Sequence, residues 1–417
     1  MATANFKVII VGGGPVGLVA ANALLLAGID FIVLESRDSV VVDEGAELKH
    51  RKSLTLDGYE FDNTAPFVYM KENHGIAPHA FNRTELVKCL YESIPENSRE
   101  KVITSKKVMD IISNEDGVKV TCADGTTYNG SIVLGADGVH SKTRRLMRKL
   151  AMECNPNREW DPEYPYTATY RCMWCSFPRT SVPGDTVETQ HQDRSVMYLT
   201  GRDLAWIFAY EKLPNATNKP ARYTERDIKQ FADDFADFPV NDTLKVKDVF
   251  RKSITTGISN LEEGVVQNWS WGRIVLAGDA CHKFTPNAGF GFQNGIQDVA
   301  ALCNRLREAT AGAPNGIPAM ATLSAVFKSY QTYRSKALEG DATLSAFTTR
   351  IHAWANKLYF ITARYIISLR LWHYVMVKHV AAWNIKKSLV LDYVAAEEPC
   401  VGEVNWENKM NSSSDVC

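Results

Sequence analysis

The sequence lacks any charge imbalance: 47 lysines and arginines stand against 48 aspartates and glutamates, a formal −1 over 417 residues. A chain so balanced projects no broad basic field, so nucleic acid is not expected among its partners. It also lacks the long like-charge blocks that form interaction tails, and it has no internal repeat. No charged n-region, apolar core and small-residue cleavage site precede the strand-like run that begins at Phe6. A secretory signal is therefore not expected, and a cytoplasmic location is. Nine cysteines is an odd number, and they are scattered, which is not a disulfide framework. Cys172 and Cys175 make a CxxC, but with no second pair and no nearby histidine motif. A closed zinc site takes four ligands, so these read as structural thiols and no metal is expected.

What is present is length and apolar content, 45% hydrophobic, enough for two or three interlocked domains. From Phe6 to Glu35 the pattern is strand, glycine turn, helix, strand, with Val/Ile-rich runs as buried parallel strands require. Stretches between Lys101 and Val133 read as a hairpin meander, with a turn at Asp124-Gly125. Between Tyr166 and Leu213 two alternating segments predict an antiparallel sheet, and ERDIKQFADDFADF an amphipathic helix upon it. After RIVLAGDA and PNAGFG a helix begins near Phe292, and helical sequence resumes from Pro318 to about Tyr393.

Gly12, Gly14 and Gly17 form GxGxxG directly after a strand and directly before a helix. The first glycine makes the tight turn, the second admits a pyrophosphate, and the third lets the helix pack closely. The helix N-terminus then offers unpaired N–H groups to phosphate. Glu35 ends the second strand, where a carboxylate accepts from ribose hydroxyls and repels a 2′-phosphate. The nucleotide expected here is FAD or NAD, not NADP.

Two later segments separate those alternatives. Gly135-Ala136-Asp137-Gly138 follows a strand and precedes a basic helix. Gly278-Asp279 follows the strand RIVLA and leads to Pro286-Asn287-Ala288-Gly289-Phe290-Gly291. In this order they resemble the DG and GD motifs of the single-component FAD-dependent monooxygenases typified by p-hydroxybenzoate hydroxylase. The variant PNAGFGFQNGIQD is most similar to the fungal enzymes of meroterpenoid and indole-diterpene pathways.

The resemblance implies an α/β fold with α+β character. A Rossmann-like FAD-binding domain (1–150 and 271–310) would hold an inserted antiparallel substrate sheet (151–270). C-terminal helices (311–395) and a disordered tail (396–417) would follow. It implies FAD along Gly12, Gly14, Gly17, Glu35, Ala46, Asp137, Asp279, Ala288, Gly289, Gly291 and Phe292, with Arg83 of NRTEL beside the pyrophosphate and ribityl chain. It also implies NADPH or NADH and O2 as co-substrates. The organic substrate would be a small hydrophobic molecule, a prenylated, terpenoid or aromatic intermediate of secondary metabolism, to be epoxidised or hydroxylated. A non-catalytic or flavin-deficient homologue, or a reductase on the same scaffold, is the alternative.

On the substrate side, Arg171 stands in the apolar run YRCMWCSF, where an unpaired charge is costly, so it has a carboxylate or a ligand as partner. Arg171 and Tyr198 are the catalytic candidates, with His191 and Trp206 as further lining. Residues 358–383 are apolar but interrupted by Arg364, Arg370 and Lys378, a poor spanning segment. They read as a helical lid or core element, or as a peripheral membrane contact. The family stretch between Ala46 and Arg83 is shortened here to HRKSLTLDGYEFDN and its flanks, from which weaker shielding of the flavin ring is expected.

Overall fold

A Val/Ile run with no polar alternation must be covered on both sides, and that is how the chain begins. The computed structural model describes residues 6–38, 46–80 and 83–411. In it β1 (Lys7–Val11) pairs in parallel with both β2 (Asp30–Leu34) and β11 (Ile132–Gly135). β7 (Val102–Ile103) extends the sheet beyond β2, β18 (Ile274–Leu276) extends it beyond β11, and β17 (Ser270–Trp271) closes that edge antiparallel. A strand at residue 274 thus completes a sheet begun at residue 7. α1 (Pro15–Leu26) starts with proline, whose fixed φ suits a first helical position, and buries Leu18, Ala20, Ala21 and Leu24. α7 (Phe290–Gly312) packs beside it. The expected meander is a three-stranded sheet of β8 (Val108–Ser113), β9 (Val118–Cys122) and β10 (Thr127–Gly130), and Gly125 takes φ +81° in its turn.

The second sheet has eight strands. From one edge, they are β19 (His282–Lys283), β16 (Thr255–Val265), β12 (Thr167–Pro178), β15 (Leu204–Thr217), β14 (Arg194–Thr200), β13 (Asp185–His191), β4 (His50–Thr55) and β5 (Glu60–Thr64). Side chains alternate between its faces. The outer face, with Met173, Cys175, Phe177, Val196, Ile207 and Ala209, is sealed by α5 (Glu225–Asp234) and α6 (Val246–Phe250) through Phe231, Phe235, Val246 and Val249. The inner face carries Cys172, Met197, Leu199, Phe208, Tyr210 and Leu261. Cys172 and Cys175 therefore point to opposite faces and cannot share an ion, and burial drives both thiols upward, Cys175 to about 12.

Two boundaries differ from the sequence reading. HRKSLTLDGYEFDN lies inside the first segment, yet it forms most of the β4–β5 hairpin, which joins the substrate sheet through a parallel β4–β13 pairing. Its short flanks form β3 (Ala46–Glu47) and β6 (His79–Ala80), which pair with each other, followed by α3 (Arg83–Glu92). Of the expected disordered tail, residues 396–411 are instead docked. The amides of Glu403 and Val404 donate to the carbonyls of Glu72 and Asn73 at the end of α2 (Pro66–His74), and Lys378 bridges Glu72 and Glu403. Polarity there serves backbone pairing rather than solvation.

α4 (Lys142–Cys154) follows the DG segment, and α8 (Met320–His352) packs on β13 and β16 of the second sheet while its Tyr330 hydroxyl donates to the Leu276 carbonyl of β18 in the first. Segment 358–383 is broken into α9 (Lys357–Thr362), α10 (Arg370–His373) and α11 (Ala382–Ile385), joined by wider π turns. No described helix is long and apolar enough to cross a membrane.

Candidate functional site

The glycine turn is built by contact. A Cβ on Gly17 would lie 1.9 Å from the carbonyl oxygen of Gly12, and one on Gly12 (φ +106°) would lie 2.6 Å from that of Ala136. A Cβ on Gly14 would meet nothing within 4 Å, which leaves the room a phosphate needs beside the start of α1. Glu35 is buried, accepts the Gly13 amide at 2.7 Å and pairs with Arg37 at 2.9 Å. Burial raises its carboxyl, but hydrogen bonds from Arg37 and Gly13 outweigh that and hold it below the usual range. It stands ionised at the mouth of the turn.

The GD segment arrives at the same place. Val16, in the first turn of α1, is wedged where Cβ atoms on Gly278 and Gly295 would fall, at 3.0 and 2.4 Å. The N-terminal turn, the end of β18 and α7 thus close around one side chain. Asp279 Oδ1 lies 3.8 Å from a Cβ position on Gly291, so the GD and PNAGFG segments face each other. Gly289 takes φ +69° with open space at its Cβ position, and Ala288 precedes it. The helix starts at Phe290, so Gly291 and Phe292 lie in its first turn.

Several residues that sequence reasoning missed hold this arrangement. Asp298, fully buried in α7, accepts the Gly278 amide at 2.9 Å, His282 at 2.5 Å and Arg334 of α8 at 2.9 Å. Burial raises its carboxyl, but His282 and Arg334 more than reverse this and keep it ionised. Cys281, His282 and Asp298 lie close enough for a metal, but an arginine already fills that carboxylate, so the group pins the GD turn. Arg144 of α4 donates to the Ala280 and Val139 carbonyls and lies over the Tyr166 ring, whose hydroxyl donates to the Asp279 carbonyl. Asn287 accepts from Thr349 while its Nδ2 is buried without a partner, an orphaned donor beside the Gly289 turn. Of these only Asp298 carried a signal, and only in its residue type: an acid directly ahead of the apolar run VAALC in α7, with nothing local to name its partners.

Other assignments move. Asp137 accepts from the Ser141 hydroxyl and from the Thr143 amide and hydroxyl, which ties it to the first turn of α4, whose N-cap is Ser141. Ala46 pairs with Ala80 at the start of the rebuilt stretch. Arg83 opens α3, but its side chain is outside the described residues. Both catalytic candidates are corrected. Arg171 pairs with Glu211 and lies over Phe231, and Tyr198 stacks on Phe177 and bonds the Ser181 hydroxyl, so both belong to the outer face under α5 and α6. The physical reason is strand parity: Arg171 shares its side with Met173, not with Cys172. Trp206 does fall on the inner side, whereas the His191 ring packs on Phe238.

The inner face is turned to the cofactor fold. The end of α8 spans the gap: its Ser345 and Thr349 bond Thr285 and Asn287 before α7, and Arg350 pairs with Glu263 on β16. Room at Gly14 and Gly289, an ionised Glu35, an orphaned Asn287 donor and the α7 N-terminus fit an extended dinucleotide carrying a ring, which defines a flavoprotein. The sequence matches the family model described as FAD binding domain over residues 5–56 and 48–317. It is 47% identical over 196 residues to FAD-dependent monooxygenase SAT1 of Stachybotrys chartarum, covering 46% of this chain and 66% of that protein. It is 30% identical over 400 residues to FAD-dependent monooxygenase esdpE of Penicillium shearii, covering 88% and 82%. Klebsiella pneumoniae HpxO complexed with FAD and uric acid superposes with a TM-score of 0.67 at 19% identity, over 90% of this chain and 93% of that one. The chain belongs to the FAD-dependent monooxygenases, and its relatives include fungal enzymes of secondary metabolism.

Proposed function

We propose that this protein uses NADPH or NADH and O2 to epoxidise or hydroxylate a hydrophobic intermediate, prenylated, terpenoid or aromatic, in a secondary-metabolite pathway. The observation that carries the reading is the convergence of the Gly12 turn, the Gly278-Asp279 turn and Gly295 of α7 around Val16, which follows that first turn. FAD, when bound, supplies the redox chemistry that draws electrons from the nicotinamide and activates oxygen. The chain's own residues do the rest. Glu35 would accept from ribose hydroxyls and Asp279 from a ribityl hydroxyl, and the first amides of α7 would favour negative charge on the ring. Asn287 Nδ2, buried without a partner, would donate to an acceptor on the bound group.

Opposite this grip, Trp174, Leu199, Trp206, Phe208 and Leu261 leave apolar surface on the inner face only partly covered, while the outer face is sealed. Such a wall suits a greasy substrate and excludes water from the reacting atoms. Segment 358–383 exposes Leu358, Leu371 and Trp383 among lysines and arginines, the composition of a peripheral membrane contact through which such a substrate would arrive.

One observation favours a second reading, a flavin-deficient homologue. The stretch before α3 is rebuilt as strands of the substrate sheet, and Lys283 already pairs with Asp279 at 2.5 Å. The test is spectroscopic. Purified protein should take up FAD and show a bound-flavin spectrum, consume NAD(P)H in an oxygen-dependent manner with a prenylated acceptor, and release product heavier by one oxygen. Colourless protein after FAD addition supports the second reading, and NAD(P)H consumption without oxygen a reductase.

A further inference from the structure

The inner face of the substrate sheet also carries a buried polar group that the cofactor grip does not use. Arg51 on β4 approaches His352 at the end of α8, Nη2 to Nε2 3.1 Å, and His352 Nδ1 lies 3.5 Å from Glu188 Oε2 on β13. Ser195, Tyr210 and Tyr170 stand on neighbouring strands. Glu188, His352, Ser195, Tyr210 and Tyr170 are all more than nine-tenths buried. Yet apart from that 3.5 Å approach of Glu188 Oε2 and His352 Nδ1 to each other, these two atoms, Ser195 Oγ and the Tyr210 and Tyr170 hydroxyls have no hydrogen-bond partner in the protein. One such group costs about 1–3 kcal/mol, and four on one sheet face with a fifth on the helix against it are too many to leave as packing accidents.

Their position indicates what would satisfy them. Glu188 faces Met197 across the β13–β14 ladder, and Met197, Leu199 and Phe208 continue the apolar wall from there. His352 lies three residues past Thr349, which bonds Asn287 of the turn before α7, so one helical turn, ~5 Å, separates the two. The polar group therefore ends an apolar surface that begins beside the flavin cradle. Burial pushes the Glu188 carboxyl up to about 8 and holds His352 well below its ordinary range, so both are neutral near pH 7. A neutral acid and a neutral imidazole suit a hydroxyl or carbonyl, not an ammonium or a carboxylate.

We propose that Glu188, His352, Ser195 and Tyr210 form a polar subsite that receives the hydroxyl or carbonyl at one end of an otherwise apolar, terpenoid-like substrate. This rests on reading the inner face as the substrate wall. Arg51 donates to His352 Nε2, so Nδ1 carries the ring proton and donates to the ligand oxygen together with Ser195 and Tyr210, while a Glu188 carboxyl oxygen accepts from a ligand hydroxyl. The subsite sets which end of the substrate lies against β13 and the end of α8.

Farnesol and farnesene, the same skeleton with and without a terminal hydroxyl, test this by tryptophan-fluorescence titration of the full chain, with FAD content recorded by absorbance. Wild type should bind farnesol about tenfold more tightly than farnesene, the worth of one to two hydrogen bonds. Glu188→Leu should shrink that preference to about twofold or less with farnesene affinity unchanged. Where this variant fails to fold, Tyr210→Phe should reduce the preference about threefold. Equal affinity for the two probes in wild type, absence of binding by both, or a preference untouched by the substitutions overturns the proposal. Farnesol preference in protein that takes up no FAD would sink the oxygenase reading and leave the subsite standing. Flavin-loaded protein without the preference would do the reverse.

Discussion

Replacing Glu188 by glutamine keeps its shape and removes its charge, which makes stability against pH a direct test of the buried acid. The carboxyl titrates near 4.5 in the ordinary glutamate and at about 8 here, because burial disfavours the anion more than nearby Arg51 favours it. Between those values the folded protein holds a proton that the unfolded chain has released. Stability contributed by this site is therefore full below the unfolded value, falls as pH rises, and levels off above pH 8. At about 1.4 kcal/mol per pH unit, the wild type loses on the order of 3 kcal/mol from pH 5 to pH 8 that Glu188→Gln does not lose. The groups facing Glu188 are Arg51 on β4, His352 on α8 and Tyr210 on β15, and all are kept in the variant, so their own titrations largely cancel. Urea unfolding of both proteins at pH 5 and pH 8 reads the difference. The variant should be the more stable at pH 8 and close to wild type at pH 5. Parallel curves, with the same gap at both pH values, would refute a protonated Glu188 and the polar subsite drawn around it.

Gly17→Ala places a methyl 1.9 Å from the Gly12 carbonyl, so the turn must open and FAD should be lost on gel filtration; flavin that co-elutes as in wild type contradicts the packing argument. Asp298→Asn leaves Arg334 buried beside a neutral amide, a loss of about 3–5 kcal/mol in unfolding free energy together with weaker FAD retention, and unchanged unfolding would deny its pinning role. Arg171→Met should cost on the order of 1 kcal/mol of stability, since its pair with Glu211 is part-exposed, and leave turnover within about twofold. A collapse of kcat with stability intact would restore Arg171 to catalysis. Leu358→Glu with Leu371→Glu, at positions 71% and 70% exposed, should abolish co-sedimentation with anionic vesicles without changing the fold, and equal sedimentation removes the membrane contact.

The cofactor grip was legible because it is written in backbone demands. Gly17 must be glycine beneath the Gly12 carbonyl, and Gly289 must be tolerant of φ +69°; a sequence displays such needs as residue identities at fixed spacing. The order of strands was legible too, since a doubly covered strand must be apolar along its covered length, and β11, β18 and β1 after Lys7 are. Asp298, Arg144 and Arg334 were not, because their partners lie tens to over a hundred residues away and nothing local marks the pairing.

The failure at Arg171 has a sharper cause. In β12 both faces are apolar, one sealed by helices and the other lining the substrate wall, so hydrophobic alternation carries no phase. A single-residue choice of parity then decides whether an arginine meets Glu211 or the active-site side, and the run YRCMWCSF permits either. The residues that fix the phase lie elsewhere: Glu211, opposite Arg171 on β15, and Phe231 on α5. The same parity that removes Arg171 and Tyr198 from the inner face delivers Tyr170, Tyr210 and Glu188 to it. A catalytic role sought on this sheet therefore belongs to that second set, and the pH test of Glu188 examines it first.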